Sequence, residues 1–140
     1  MAVLIEKAIK PVDPAIKVCV DRHTLYKRRW RAKAVDGTEL AVALDVPVSD
    51  GAYLGSSEGQ VFRVEQTREE LLVVPLPDTT EMAAKIGWYL GNQHLPVEIR
   101  EEEILLEKLH TLAASLDRIG IPYDFREDIF RCKIHSSHQH

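Results

Sequence analysis

The placement of histidine in this chain points to metal chemistry. Six histidines are present, and His135, His138 and His140 all fall within the last six residues. Neutral imidazole is a good ligand for borderline metals such as nickel, zinc and copper, and short histidine-rich tracts often bind metal. The composition therefore predicts metal binding by the end of the chain. The alternative is a polar terminus that merely contains histidines.

Another histidine, His94, stands in the stretch GWYLGNQHLPVEI, residues 87–99. A helical pattern ends there at Gly91-Asn92, and Leu95-Pro96 begins an extended run. A lone histidine in a turn is more often a cap or a surface residue, and one imidazole is a poor site for a divalent ion, which needs three or four ligands. If the turn lies on a two-fold axis, however, a second His94 comes from the other subunit. The histidines of the tail would then complete the set.

The residue sets of the common enzymes are missing from the sequence. The loop serines Ser49, Ser56 and Ser57 have no nucleophile-elbow pattern around them, and no glycine-rich phosphate loop is present. The run Glu101-Glu102-Glu103 is more typical of a solvated face than of a catalytic or metal-binding carboxylate cluster. We therefore expect a protein that is not an enzyme.

Charge and composition limit the classes of binding partner and the cellular compartment that we expect for this protein. The 140 residues carry a formal net charge of -4, which argues against general nucleic-acid binding. Residues 1–64 hold 10 Lys and Arg against 8 Asp and Glu, whereas residues 65–140 hold 8 against 14; this asymmetry suggests two units with different partners. Two distant cysteines and the lack of a signal peptide or a long apolar run predict a cytoplasmic protein with no membrane partner.

The N-terminal half reads as short strands. Apolar residues alternate in 16–20, 30–34, 40–46 and 62–64, and Asp36-Gly37 predicts a two-residue hairpin in which both positions tolerate positive φ. The segment VPVSDGAYLGSSEG, residues 46–59, reads as turn and loop. This spacing predicts a small antiparallel sheet pair or an open barrel.

A stripe of basic residues follows one face of the second of these strands. It consists of Arg29, Arg31 and Lys33, with Arg22, Lys27 and Arg28 nearby. A solvated strand face is the simplest interpretation. The alternatives are a docking surface for an acidic protein partner and, less favoured because exposed aromatic residues do not interleave with the stripe, RNA binding.

The C-terminal half mixes strands with amphipathic helices. ELLVVPLP (70–77) predicts a buried strand, and Asp78 to Glu81 resembles a capping box that begins a helix ending at Gly91-Asn92. PVEIR (96–100) predicts a strand, residues 101–119 allow one long helix, and IPYDF predicts a last strand. Gly87 inside the first helix suggests close packing against that turn. The order suits a ferredoxin-like βαββαβ unit, followed by an aperiodic and mobile tail, REDIFRCKIHSSHQH.

With these elements in place, the stretch around His94 resembles the UreE family of urease accessory proteins. Leu90, Gly91, Asn92, His94 and Pro96 match the family's helix-Leu-Gly-Asn-Arg-His-x-Pro segment, and Gln93 replaces the usual arginine. RRWRAKAVDGTELAVALDVPVSDGAYL and HTLAASLDRIG are also similar to the family's basic strand with its hairpin and to its second helix. The resemblance covers about residues 16 to 123.

The resemblance implies an α+β protein with an N-terminal all-β domain, residues 1–72, for client or partner binding. A ferredoxin-like domain, residues 73–140, would carry the metal site, the dimer contact and the mobile tail. His94 would be the metal ligand shared at the dimer axis, with further ligands from His135, His138 and His140. His110 matches an auxiliary metal site of some members, although Lys108 stands where those members have a second histidine. The family also makes EEILLE a strand.

The function implied by the resemblance is that of a homodimeric nickel chaperone. Such a protein binds Ni²⁺ and passes it, through an accessory GTPase, to the urease apoprotein in the accessory complex. Zinc and copper also suit the ligand set. The alternative from the residues alone is a non-catalytic protein-binding adaptor in enzyme maturation, in which metal binding is incidental and the basic stripe recognises the client.

Overall fold

The structure, a computed structural model, describes residues 1–132. The chain divides into two compact units, Met1–Thr67 and a second that begins at Arg68. The division falls before the strand at 69–75 rather than after residue 72, because that strand pairs only with strands of the second unit in the described ladders. Secondary structure is mixed α and β, with strands predominating. Within the described residues, no helix is long and apolar enough to cross a membrane.

The first unit is built on one six-stranded sheet. Its strands are β1 (Val3–Ile9), β2 (Ile16–Val20), β3 (Arg29–Lys33), β4 (Glu39–Ala43), β5 (Tyr53–Ser56) and β6 (Val61–Gln66), and a helical turn, α1 (Arg22–Leu25), follows β2. They lie in the order β2-β6-β5-β1-β4-β3. The β1–β4 and β2–β6 pairs are parallel, so the sheet is mixed. Of the two predicted arrangements, the antiparallel sheet pair was therefore wrong, whereas the open barrel is not contradicted.

The alternating apolar side chains of this unit pack into a single core. The fully or nearly buried side chains include Ile5, Val18, Trp30, Leu40 and Phe62. The amide of Val35, just beyond β3, donates to the Lys17 carbonyl of β2 at 2.9 Å. Because β2 and β3 are the two ends of the strand order, this bond shows that the sheet curls until its edges approach each other.

The hairpin between β3 and β4 forms where it was predicted, but with another backbone conformation. Gly37 has a φ of 93°, whereas Asp36 is not among the described residues with positive φ. The Asp36 carboxylate instead accepts a hydrogen bond from the Thr38 amide at 3.0 Å, and the Ala34 amide donates to the Thr38 carbonyl at 2.8 Å. The turn therefore needs positive φ only at the glycine.

The second unit has a four-stranded sheet with two helices. Along the chain it runs β7 (Glu69–Pro75), α2 (Thr80–Gly91), β8 (Val97–Ile99), β9 (Glu103–Glu107), α3 (His110–Ile119) and β10 (Asp124–Asp128). The strand order is β10-β7-β9-β8, and each neighbouring pair is antiparallel. One face of β7 and β9 packs on both helices through Leu72, Val74, Ile86, Leu90, Ile104, Leu106, Leu112 and Leu116.

Two local predictions for this unit were wrong, and one was confirmed. The N-cap of α2 is Thr79, not Asp78, because the Thr79 hydroxyl accepts the Met82 amide hydrogen bond at 3.3 Å. The strand that the family resemblance favours over one long helix is confirmed, since β9 occupies 103–107. The segment from residue 126 onward is not aperiodic throughout: β10 extends to Asp128, and Phe130 and Cys132 are 0% and 6% exposed.

Candidate metal site

The helix α2 carries the candidate site at its C-terminal end. Ile86 and Leu90 lie one turn apart and are buried, which fixes the helix against the sheet. The helix ends at Gly91, and Asn92 is its C-cap with a helical φ of -72°. The amide side chain of Gln93 donates to the Tyr89 carbonyl at 3.2 Å. The Gln93 side chain thus caps a carbonyl in the last turn of α2. The His94 imidazole takes no part in this hydrogen bond.

His94 occupies an exposed position with an uncommon backbone. Its φ is 57°, which makes it the one non-glycine residue with positive φ in the described part of the chain. Its amide donates to the Gly91 carbonyl at 3.3 Å, and β8 begins three residues later. The left-handed residue reverses the chain between helix and strand, and it leaves the imidazole at the surface. The structure therefore presents one accessible imidazole at the corner between α2 and β8.

The face of α2 next to this corner is also open. Ala84, Gly87, Trp88 and Gly91 follow the i, i+3, i+4, i+7 spacing of one helix face, and Trp88 is 71% exposed. A Cβ added at Gly87 or Gly91 would meet no atom within 4 Å. The close packing predicted at Gly87 is therefore not made by the described residues of this chain. The sequence did not signal the exposure of Trp88, since a tryptophan in an amphipathic helix is usually buried.

His110 is the first residue of α3 and is exposed. Two residues earlier, the Lys108 ammonium lies 2.6 Å from the Glu70 carboxylate and 4.9 Å from the centre of the Phe125 ring. Hydrogen bonding from Lys108 lowers the pKa of Glu70 below its usual value. Position 108 thus supplies a cation rather than a metal ligand beside His110.

The described residues of one chain do not assemble a metal centre. Residues 1–132 contain no group of three or more His, Cys, Asp and Glu side chains that could hold an ion. The remaining predicted ligands, His135, His138 and His140, lie outside the described residues. Neither His94 nor His110 therefore belongs to a set of three ligands among the described residues, and a closed site at either one needs ligands from outside residues 1–132.

The basic stripe lies on β3, at one end of the first sheet. Arg29, Arg31 and Lys33 are exposed, while Trp30 between them is 7% exposed. The predicted alternation is therefore confirmed. Arg22, which the sequence placed near the stripe, is 4% exposed and does not belong to this surface.

Beyond β8, a network of charged side chains was not anticipated from the sequence. Arg100 donates to Glu98 at 2.8 Å, to Asp128 at 3.1 Å and to the Ile129 carbonyl at 3.2 Å. Arg126 forms two hydrogen bonds with Glu103. These partners are as many as 29 residues apart in the sequence, and no local pattern in the sequence could pair them.

Comparison with known proteins agrees with this architecture. The model of the UreE urease accessory protein C-terminal domain matches residues 69–140, a range that begins at β7. Proteins named urease accessory protein UreE, from Staphylococcus aureus strains Newman and COL, are 32% identical over 128 residues, which cover 89% of this chain and 84% of each relative. The family match over half the chain and the similarity over most of its length show that this chain belongs to the UreE family of urease accessory proteins.

Proposed function

We propose that this protein acts in urease maturation as a homodimeric metallochaperone that binds Ni²⁺ and delivers it for assembly of the urease active site. The observation that carries the proposal is the exposed His94, held at the C-terminal corner of α2 in a chain of the UreE family. Because one imidazole is too few ligands for a divalent ion, a second subunit supplies another His94. Zn²⁺ and Cu²⁺ fit the same donors.

The open face of α2 supports the dimer. Trp88 exposes most of its ring, and the small residues Gly87 and Gly91 leave room for a neighbouring backbone. Burying an aromatic ring of this kind is strongly favourable. A second copy packed against this face would bring the two His94 corners together, and it would account for a glycine in the middle of a helix.

The ligand set suits transfer rather than storage. Few protein ligands at an exposed interface leave coordination positions open, and the tail imidazoles of His135, His138 and His140 exchange readily. His110 is a separate auxiliary ligand. The protein works without catalysis in the cytoplasm, with an accessory GTPase and the urease apoprotein as partners.

The domain roles follow the same scheme. The helices and strands of the second unit run in the order β-α-β-β-α-β with strand order β10-β7-β9-β8, which supports a ferredoxin-like domain for metal binding and dimerisation. The six-stranded unit before it serves partner recognition. The family name of the relatives, urease accessory protein, supports the assignment to urease maturation.

Nickel titration calorimetry with light scattering tests this function. The samples are the intact protein, His94→Asn and a chain ending at Lys133. Asparagine tolerates left-handed backbone, so His94→Asn removes the imidazole while preserving the corner. We expect about one tightly bound nickel per dimer, lost in His94→Asn, and weaker additional ions that disappear with the tail. Tight binding by His94→Asn equal to that of the parent would contradict the proposal.

A second candidate function, a protein-binding adaptor, is favoured by one observation, the exposed cations of β3. Arg29, Arg31 and Lys33 project at two-residue intervals from an end strand of the sheet, a spacing that fits acidic side chains of an extended partner. Under this function, neutralising the three residues would abolish capture of the urease apoprotein while His94→Asn would leave it unchanged. Capture that persists in His94→Asn while nickel delivery to urease fails would favour the metal carrier.

A further inference from the structure

The last turn of α2 departs from regular α-helical hydrogen bonding. A helix ends with four carbonyls that have no partner inside it, and in α2 these belong to Trp88, Tyr89, Leu90 and Gly91. The Asn92 amide still donates to the fourth residue before it, Trp88, at 3.1 Å. The amides of Gln93 and His94 instead donate to the third residue before each, at 3.1 and 3.3 Å. The backbone amides therefore pass over the Tyr89 carbonyl.

The Gln93 side chain takes the place of the diverted amide. Its carboxamide nitrogen donates to the Tyr89 carbonyl at 3.2 Å, and this is the oxygen that the Gln93 backbone amide would reach in a regular α-helix. Each of the four end carbonyls thus has a donor. Among residues 91–94, Gln93 is half-buried and the other three are exposed, so water competes least with the contact made by Gln93.

Buried side chains hold the chain on both sides of this turn. Leu90 is 1% exposed, and the partly buried Leu95 packs against the same core of the second unit. Because Pro96 follows Leu95, extended backbone is favoured at Leu95. The chain therefore reverses within residues 91–94, and His94 completes the reversal with its φ of 57°.

Without the side-chain donor, the turn has a competing arrangement. The Gln93 amide can return to the Tyr89 carbonyl, which extends the α-helix by one residue. His94 would then take a negative φ, which residues with a Cβ prefer, and its imidazole would point in another direction. The hydrogen bond from the Gln93 side chain satisfies the Tyr89 carbonyl in advance, and it thereby favours the left-handed His94.

We propose that Gln93 is a positioning residue of the metal site: its side chain holds the turn that presents the His94 imidazole. This inference rests on the proposed function. Gln93 acts through His94 and not as a ligand. The affinity for a ligand falls with the fraction of the protein in the competent conformation, so loss of the hydrogen bond weakens nickel binding although His94 is intact. For an ion shared by two subunits, the loss applies at each His94.

Nickel calorimetry on Gln93→Leu tests the inference, because leucine is similar in size and has no donor. An ordinary hydrogen bond shifts an equilibrium by about fivefold, so two turns together lose at most about twenty-fivefold in affinity. We expect nickel binding to weaken by at least about threefold. Ser115→Ala is the matched control, because the Ser115 hydroxyl also donates to the helix carbonyl four residues earlier, at 3.1 Å. It should bind nickel as the parent does.

A measurement on the metal-free protein follows the turn itself. Backbone scalar couplings measured by NMR report φ at His94, and in Gln93→Leu the equilibrium should shift away from the left-handed conformation by about fivefold. A purely structural role of Gln93 would lower the stability of the fold in urea without changing φ at His94.

Gln93→Arg is the rescue variant, because a guanidinium can donate to the same carbonyl. It should restore the left-handed φ at His94. Its nickel affinity should lie within about twofold of that of the parent at high salt, where the added positive charge is screened.

Three results would overturn the inference. Gln93→Leu could bind nickel as tightly as the parent, it could lose affinity while φ at His94 is unchanged, or Gln93→Arg could fail to restore φ. Failure of the proposed function gives a separate signature, because His94→Asn would then bind nickel as the parent does. The couplings at His94 in metal-free Gln93→Leu would still show whether Gln93 holds the turn.

Discussion

At the residue scale, His94 combines a side chain that suits metal binding with a backbone that most residues avoid. Its φ of 57° places it in the left-handed region, where L-residues with a Cβ are disfavoured by roughly 1–2 kcal/mol. The sequence identified His94 through its neighbours Gly91 and Asn92, but it did not predict that the histidine, rather than one of those two, adopts the left-handed conformation.

Substitutions at position 94 separate the effect of the left-handed backbone on stability from the effect of the imidazole. We expect His94→Gly to be at least as stable as the parent, His94→Asn to be similar, and His94→Ala to be less stable than His94→Gly by about 1 kcal/mol. Urea unfolding of the four metal-free proteins measures these differences. An alanine variant as stable as the glycine variant would show that the left-handed corner imposes no constraint in solution.

At the scale of helices and strands, sequence reasoning succeeded where one face is buried and the other solvated. β2, β3, β4 and β6 each alternate, and each forms where predicted. β1 was missed because its side chains are mostly exposed, with only Ile5 buried, so it lacks the alternation. β5 was read as loop because the whole segment 46–59 is rich in Pro, Gly, Ser and Asp. A Cβ at Gly55 would lie 3.1 Å from the Ile9 side chain, so this glycine reflects close contact with β1 rather than a turn.

The start of α2 offers a direct comparison of two capping candidates. Because the Thr79 hydroxyl accepts the Met82 amide hydrogen bond, Thr79→Ala should lower the free energy of unfolding by about 1 kcal/mol. Asp78→Ala, one position earlier, should change it by less than about 0.5 kcal/mol. Thermal and chemical unfolding of the two variants measure the difference, and a larger loss in Asp78→Ala would restore the capping box read from the sequence.

The contact between β9 and β10 predicts a pH dependence. Hydrogen bonding from Arg126 is the main cause that holds the pKa of Glu103 below its ordinary value of 4.5, against partial burial that raises it. The lowered pKa means that the ionised carboxylate stabilises the folded state. This contribution is present above pH 4.5 and is lost as the pH falls through the lower folded-state pKa.

Glu103→Gln should therefore reduce stability at pH 7, by no more than about 1 kcal/mol because the pair is partly exposed. Below pH 4.5 the difference from the parent should shrink towards zero. Melting temperatures across this range measure it, with the exposed Glu101→Gln as a matched control. A difference that stays constant through the acid range would mean that Glu103 acts by shape rather than by charge.

At the scale of the whole molecule, the sequence indicated two units from the change in charge and pattern, and the described chain has two. A single sequence does not reveal contacts between residues that lie far apart along the chain. The mixed pairing of the first sheet, the bonds of Arg100 to Asp128 and Ile129, and the uncovered face of α2 all arise from which surfaces meet after folding. The uncovered face of α2 bears on assembly, because Trp88 and the nearby His94 are both exposed in the described chain.

The exposed face of α2 predicts that dimerisation and metal binding are lost together. In Trp88→Asp, a charge replaces the ring at the proposed interface, and burying an unpaired carboxylate is costly. We expect a monomer by light scattering whose nickel affinity falls at least about tenfold, although His94 is intact. Phe125→Asp is the matched control, since Phe125 is a 48% exposed aromatic residue on β10, and it should remain a dimer that binds nickel. A Trp88→Asp protein that stays dimeric would place the two-fold axis elsewhere, and a monomer with parental affinity would show that a single His94 with its own tail completes the site.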